Sequence, residues 1–202
     1  MPIEVESIST SRYETVLAAM RARHAQVAAG KAPGVVWLVE HDPVYTAGRA
    51  TPAADINDDV VPIERGGKIT WHGPGQLTIY PVVKLPKRDV RDWLRRIEQF
   101  GVEIAATFGL QADPSVDGTG VFIDGRKFAS IGVAVKRWTN LHGIGVNVAV
   151  RGSPWHAVRP CGLSPNVMTD LSAAAGRAVT MDQARAAARA AVSVLAGRTD
   201  AL

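Results

Sequence analysis

The chain has 202 residues, 47% of them hydrophobic and 21% charged, which is the composition of a globular chain with a core to bury and excludes a disordered or fibrous class. That length fits one domain, residues 1–202, and is too short for two well-separated enzymatic domains. A single cysteine rules out an internal disulfide, and a net charge of +4 admits nucleic acid, a membrane surface or an acidic protein without choosing among them.

Strand and helix signals alternate along the chain. A strand at about Ile3 to Ile8 leads to Ser9 or Ser11 as an N-cap, then to a helix carrying Val16, Leu17, Met20 and Val27 that stops at Gly30. "GVVWLVEH" has the near-continuous β-branched character of a buried strand. "RGGKITWHGPGQLTIYPVVKL" makes two strands around a Gly-Pro-Gly turn. A long helix is predicted from about Asp89 to Phe108, with Val90, Leu94, Ile97, Gly101, Ile104 and Phe108 as its buried stripe. "GVFIDGRKFASIGVAVKRW" is two strands joined by Asp124-Gly125, a strong hairpin signal, and "HGIGVNVAV" is a further strand. An Ala-rich helix from Met181 to Leu195 follows. With no repeat and no linker, the expected fold is α/β (α+β): one domain with a mixed, largely antiparallel sheet and helices packed on it.

Basic residues crowd "KLPKRDVRDWLRRIE", but Asp89, Asp92 and Glu98 are interleaved at helical spacing, the pattern of a solvated face, and no stripe of stacking aromatics points to nucleic acid. No apolar run is long enough to span a bilayer, and "MPIEVESIST" lacks the regions of a signal peptide; the expected location is the cytoplasm.

Cys161 stands in "RPCGL", where proline fixes one backbone angle and glycine frees the next, a setting for a sharp loop that can hold a side chain in a cleft. A small buried hydrophobe is the competing role for a lone cysteine. Counting from the hairpin turn, Lys127 falls on the face of Ala129, Ile131, Val133 and Val135, provided no bulge intervenes. An inward lysine is either paired or desolvated, and both make a proton-transfer group. In "RGGKITWHGPGQL" glycines allow close backbone approach, Thr70 and His72 share a strand face, and the Gly73–Gly75 loop can present amides to a ligand. By themselves, His72 and His142 fit a structural role as well as a functional one. No "GxSxG", "HExxH", zinc spacing, phosphate loop or "GxGxxG" is present, so neither a metal nor a nucleotide cofactor is expected. The remaining parts suit acyl transfer through a thioester.

"RGGKITWHGPGQL", "GRKFASIGVAVKRW", "HGIGVNV" and "PCGL", in this order, closely resemble the octanoyltransferase family of lipoate biosynthesis, and "EHDPVYTAGR" resembles its early motif. The resemblance spans about Val35 to Leu171. It implies a fold like the catalytic domains of biotin and lipoate protein ligases. It also implies an ATP-independent acyltransferase without a cofactor, moving octanoyl from octanoyl-acyl carrier protein to a lysine of lipoyl domains. The implied acceptors are the 2-oxoacid dehydrogenase complexes and the glycine cleavage H protein. By position it implies Cys161 as the acyl-thioester nucleophile and Lys127 as the lysine that activates it. It implies an acyl site lined by Arg65, Gly66, Gly67, Lys68, Ile69, Thr70, Trp71 and His72. Ser130, Ile131 and Gly132, with His142, Gly143, Ile144 and Gly145, complete that lining. Thr139, Asn140 and Gly145 depart from the usual pattern, where valine, a threonine or serine, and alanine are expected. The main competing activity is an ATP-dependent lipoate or biotin ligase, which would survive loss of Cys161; a basic binding protein is a more distant one.

Overall fold

The central apolar strands pair into a sheet because they have side chains to bury on both faces, and helices cover the two sides. The computed structural model describes residues 3–56, 59–116, 120–152, 154–157 and 167–196. In chain order the elements are β1 (Glu4–Ser11), α1 (Tyr13–Ala28), β2 (Val35–His41), β3 (Val44–Ala47), β4 (Val60–Pro62), β5 (Ile69–His72), β6 (Gln76–Val82) and α2 (Val90–Ala106). After these come β7 (Asp113–Pro114), β8 (Gly120–Ile123), β9 (Arg126–Lys136), β10 (Thr139–Asn147), α3 (Leu171–Ala175), α4 (Met181–Ala191) and α5 (Ser193–Ala196).

The main sheet has the order β1-β2-β6-β10-β9-β8-β7; β1 is parallel to β2 and the other neighbours are antiparallel, so the expected mixed sheet forms. A three-stranded sheet, β4-β3-β5, was not foreseen. The strands flanking the Gly73–Gly75 turn, β5 and β6, therefore belong to different sheets, and the turn passes the chain from one to the other.

Trp93, Ile97, Phe100 and Ile104 of α2 pack on Leu77, Ile79, Ile144 and Val146, with Ala184, Ala187 and Ala188 of α4 behind them. On the opposite face, Val16, Leu17, Met20 and Val27 of α1 cover Val35, Val39, Val82 and Leu141. The α2 stripe is rotated from expectation: Val90 is 40% exposed and Leu94 half-buried, while Trp93 and Phe100 are fully buried. Asp89 caps α2 by accepting from the amides of Arg91 and Asp92. The predicted caps Ser9 and Ser11 are corrected, because β1 continues through Ser11, whose carbonyl accepts from His41 Nδ1 and the Asp42 amide; Arg12 takes the N-cap position without a side-chain bond. The C-terminal helix breaks at Val192 into α4 and α5. Asp124 and Gly125, at φ +49° and +71°, form the β8–β9 turn as expected. The β9–β10 turn places Arg137 and Trp138 at φ +52° and +56°, a left-handed pair without glycine or asparagine to relieve it. Among the described residues, no helix is long and apolar enough to cross a membrane.

Candidate active site

On the α1 side of the main sheet, missing side chains open a cavity of about 460 Å³. The alternation along β6 turns Gln76, Thr78 and Tyr80 towards it, while neighbouring β9 and β10 offer Ser130, Gly132, Gly143 and Gly145. The glycines are needed there. A methyl on Gly143 would strike the Ile79 carbonyl, and one on Gly132 would sit 2.7 Å from Arg65 Cδ. Ile131 and Ile144 also contribute to the lining.

The far wall is the segment from Arg65 to His72. Arg65, Gly66, Gly67, Lys68, Thr70 and His72 line the cavity. Ile69 and Trp71 do not, and the strand period explains the correction: they point to the other side of β5, Ile69 onto Ala47 and Val60, Trp71 edge-on to Trp155 at 6.1 Å. The buried guanidinium of Arg65 donates to the carbonyls of Gly66, Lys68 and Thr46 and to the Thr46 hydroxyl, at 2.8 to 2.9 Å, and so holds the glycine loop against β3. The Gly73–Gly75 loop does not present its last amides to a ligand: Gly75 donates to Glu40 Oε1, and Gln76 donates to the Gly73 carbonyl.

Lys127 is 1% exposed. It reaches the interior on the opposite face from the one counted in the sequence. Phe122 pairs with Lys127 but Val121 pairs with Ala129, so Phe128 is the extra residue of a β-bulge. Phe128 and Ala129 both enter the core under α2. The lysine stem instead lies over Gly120, which pairs with the cavity-facing Ser130; a methyl at Gly120 would collide with Lys127 Cε. Nζ is 5.7 Å from the centre of the Phe122 ring and has no hydrogen-bond partner among the described residues. Met168 bridges Lys127 in parallel, the Thr169 amide donates to the Lys127 carbonyl at 3.0 Å, and Arg126 donates to the Met168 carbonyl at 2.8 Å. The chain leaving residues 158–166 is thus fastened alongside the lysine. Cys161 lies outside the described residues.

At another part of the wall, His142 adopts φ +62°, a strained conformation for a residue with a side chain. Its Nε2 lies 3.5 Å from Glu64 Oε2, a distance for an ion pair rather than a well-aligned hydrogen bond, and Arg21 grips the same carboxylate through two bonds of 3.0 and 2.8 Å. His142 and then Arg21 hold the Glu64 carboxyl well below the usual carboxylate range, while burial lowers His142 against the pull of Glu64. Burial, with the neighbouring His41 adding to it, pushes His72 down to about 3. Burial also raises the Tyr13 and Tyr80 hydroxyls.

Tyr13, Gln76, Thr78 and Tyr80 line the cavity without having been singled out in the sequence, and Val90, expected in the buried stripe of α2, lines it too. Gln76, Thr78 and Tyr80 did leave a signal, a polar residue at every second place of an otherwise apolar strand. Asn140, one of the unusual positions, accepts from Trp93 Nε1 at 2.9 Å and donates to the carbonyls of Pro81 and His142, so it braces the strained residue. Among the described residues, no group of three or more His, Cys, Asp or Glu side chains is placed to hold a metal ion.

The mixed-sheet fold is that of lipoate and biotin protein ligase catalytic domains. Lipoate-protein ligase A bound with ATP superposes with a TM-score of 0.74 at 15% identity, covering 99% of this chain and 88% of that one. Biotin protein ligase from Aquifex aeolicus in complex with biotin and ATP gives 0.61 at 11% identity, covering 94% and 68%. The chain belongs to the lipoyl protein ligase A/B catalytic domain family, which it matches over residues 12–193. Within that family its sequence relatives are octanoyltransferases. That of Geobacter sulfurreducens is 40% identical over 193 residues, 93% of this chain and 82% of the relative, and that of Mycobacterium tuberculosis 43% over 199 residues, 94% and 85%. Octanoyl transfer in lipoate biosynthesis is accordingly the activity, and the protein is an acyltransferase.

Proposed function

We propose that octanoyl passes from octanoyl-acyl carrier protein to Cys161 as a thioester, and then to a lysine of a lipoyl domain, with Lys127 handling the protons. A free thiol of pKa about 8.5 is only a few per cent thiolate at neutral pH, so it needs a neighbouring base. The carrying observation is the Lys127 amino group: wholly buried, without a hydrogen-bond partner among the described residues, and beside the chain that leaves the Cys161 segment. In the first half-reaction the Cys161 sulfur attacks the donor carbonyl and gives its proton to Lys127, the C–S bond to the carrier breaks, and Lys127 passes the proton to the carrier sulfur, which leaves as the thiol. In the second the lysine amine attacks, the C–N bond forms, the C–S bond breaks and the amine's proton returns through Lys127 to sulfur. ATP has no role, because the incoming thioester is already activated.

The cavity suits an acyl chain, lying within the roughly 300–1,000 Å³ range of small-ligand sites. Burying about seven carbons at ~0.8 kcal/mol each contributes roughly 5–6 kcal/mol, which is weak to moderate affinity, so contacts with the carrier protein supply the rest. The acceptors in this reading are the lipoyl domains of 2-oxoacid dehydrogenase complexes and the glycine cleavage H protein, the setting is the cytoplasm, and the net charge of +4 steers acidic partners. Neither nucleic acid nor a membrane takes part.

The test is intact-protein mass spectrometry after mixing with octanoyl-acyl carrier protein and no ATP. Wild type is expected to gain one octanoyl group that hydroxylamine removes, and Cys161→Ala to gain none. Modification of a lipoyl domain that requires ATP and free octanoate, and survives Cys161→Ala, would replace this reading with a ligase.

A further inference from the structure

Two buried histidines carry their proton on the same nitrogen and differ in what the other nitrogen meets. His41 donates from Nδ1 to the Ser11 carbonyl at 3.1 Å, so its Nε2 is an acceptor, and the Tyr80 hydroxyl donates to it at 2.8 Å. His72 is fixed by a longer chain. Asn147 Nδ2 donates to the Thr169 carbonyl at 3.0 Å, which turns Asn147 Oδ1 towards Gln76. Gln76 Nε2 donates to that oxygen at 2.9 Å and to the Trp71 carbonyl at 3.2 Å, which turns Gln76 Oε1 towards His72 Nδ1 at 2.7 Å. An amide oxygen can only accept, so His72 Nδ1 bears the hydrogen and Nε2 bears a lone pair.

No described residue donates to that lone pair, although the ring is 8% exposed and lines the cavity. An acceptor that faces the cavity takes its donor from what occupies the cavity. In the acyl-enzyme the octanoyl group has none: its chain carries only C–H bonds and its carbonyl is itself an acceptor. The nucleophilic amine has N–H bonds. The position also fits, because Asn147, which pairs with Gln76, grips Thr169, whose amide bonds the Lys127 carbonyl. His72 is thus tied through Gln76, Asn147 and Thr169 to the Lys127 backbone.

We infer that His72 Nε2 accepts an N–H of the incoming lysine amine and aims its nitrogen at the acyl carbon, with Gln76 and Asn147 as the residues that position the ring. The inference rests on the thioester reading. In the step it serves, the C–N bond forms, the C–S bond to Cys161 breaks, and the released proton goes by way of Lys127 to sulfur. His72 keeps its own proton on Nδ1 and takes no other. Burial, which keeps the imidazole neutral, preserves the lone pair across the working pH range.

The experiment separates the half-reactions. The protein is loaded with the octanoyl thioester of N-acetylcysteamine, freed of donor, and chased with a purified lipoyl domain, with intact mass following both stages. In His72→Leu the discharge to the amine is expected to slow roughly 10–100-fold more than the loading, the scale of a lost hydrogen bond to a buried acceptor, and His72→Gln, whose amide oxygen reaches the Nε2 position, is expected to recover most of it. Equal slowing of the two stages, or slowing of neither, overturns the inference. ¹⁵N spectra of the histidine-labelled wild type provide a readout independent of turnover: a Nδ1–H tautomer that does not titrate between about pH 5 and 8 is expected, and a Nε2–H signal overturns the assignment. A wild type that never loads fails the thioester reading itself, before any His72 variant is made, and this inference falls with it.

Discussion

The two faces of the main sheet share the same strands and are finished in opposite ways. Facing α2 and α4, Leu77, Ile79, Ile144 and Val146 meet large apolar side chains, and the layer is filled. Facing α1, the next residues along those strands are Thr78, Tyr80, Gly143 and Gly145, and the layer is left open around buried histidines. The first face is mainly an apolar packing layer; the second, beyond the cluster under α1, carries the strained, polar and small groups that make the site. Stability and chemistry are thus separated by the two-residue period of a strand rather than by distance along the chain.

Substitutions on each face test that division. Lys127→Met is expected to cut turnover by about 10²–10⁴ while thermal unfolding shows an unchanged or raised midpoint, since a buried amino group without a partner is replaced by an apolar chain of similar length. A large fall in melting temperature would mean that the lysine belongs to the structural face. Phe100→Ala, in the filled layer, should cost ~3–5 kcal/mol in denaturant unfolding and leave the KM of the folded fraction near wild type. Between these extremes lie the glycines. Gly143→Ala drives a methyl into a backbone carbonyl that cannot yield and should destabilise by ~1–3 kcal/mol, whereas Gly145→Ala meets Gln76 Oε1 at 2.9 Å and should spare stability while slowing transfer. Equal melting points for the two variants would refute a rigid floor.

The smallest expected effect is in acid. The Glu64 carboxyl is lower in the native state than in the unfolded chain, so its contribution is complete above about pH 4.5 and is lost as the pH falls through the native value. Glu64→Gln should therefore cost about 1 kcal/mol at pH 7 and converge with wild type in acid. His72 acts in the same direction: between about 3 and 6.5 the unfolded chain binds a proton that the native ring refuses, so stability falls as the pH drops through that window. An acid limb of equal slope in wild type and in Glu64→Gln would remove the carboxylate from this account.

Much of the fold was legible because it is written locally. The Asp124-Gly125 turn, the apolar strands and the α2 helix each have a short-range signature, and the glycine-rich segments announced a site. What escaped depends on partners far along the chain. Nothing near β5 and β6 says that they enter different sheets, since that is decided by pairing with β3 on one side and β2 and β10 on the other. Ser11 looks like a helix cap until His41 claims its carbonyl. The inward position of Lys127 was read correctly and its face was not, because a bulge is a mismatch between two strands and neither strand shows it alone.

That bulge also bears on how the gene can change. Loss of the one codon for Phe128 would restore regular pairing to the hairpin and leave Lys127 on the face of Phe122 and Gly120, while emptying the place of a fully buried aromatic ring under α2. An in-frame deletion that mends the ladder would keep the lysine in place and cost core packing instead, so a deletion in this short stretch should be purged for stability even where the hairpin itself could absorb it.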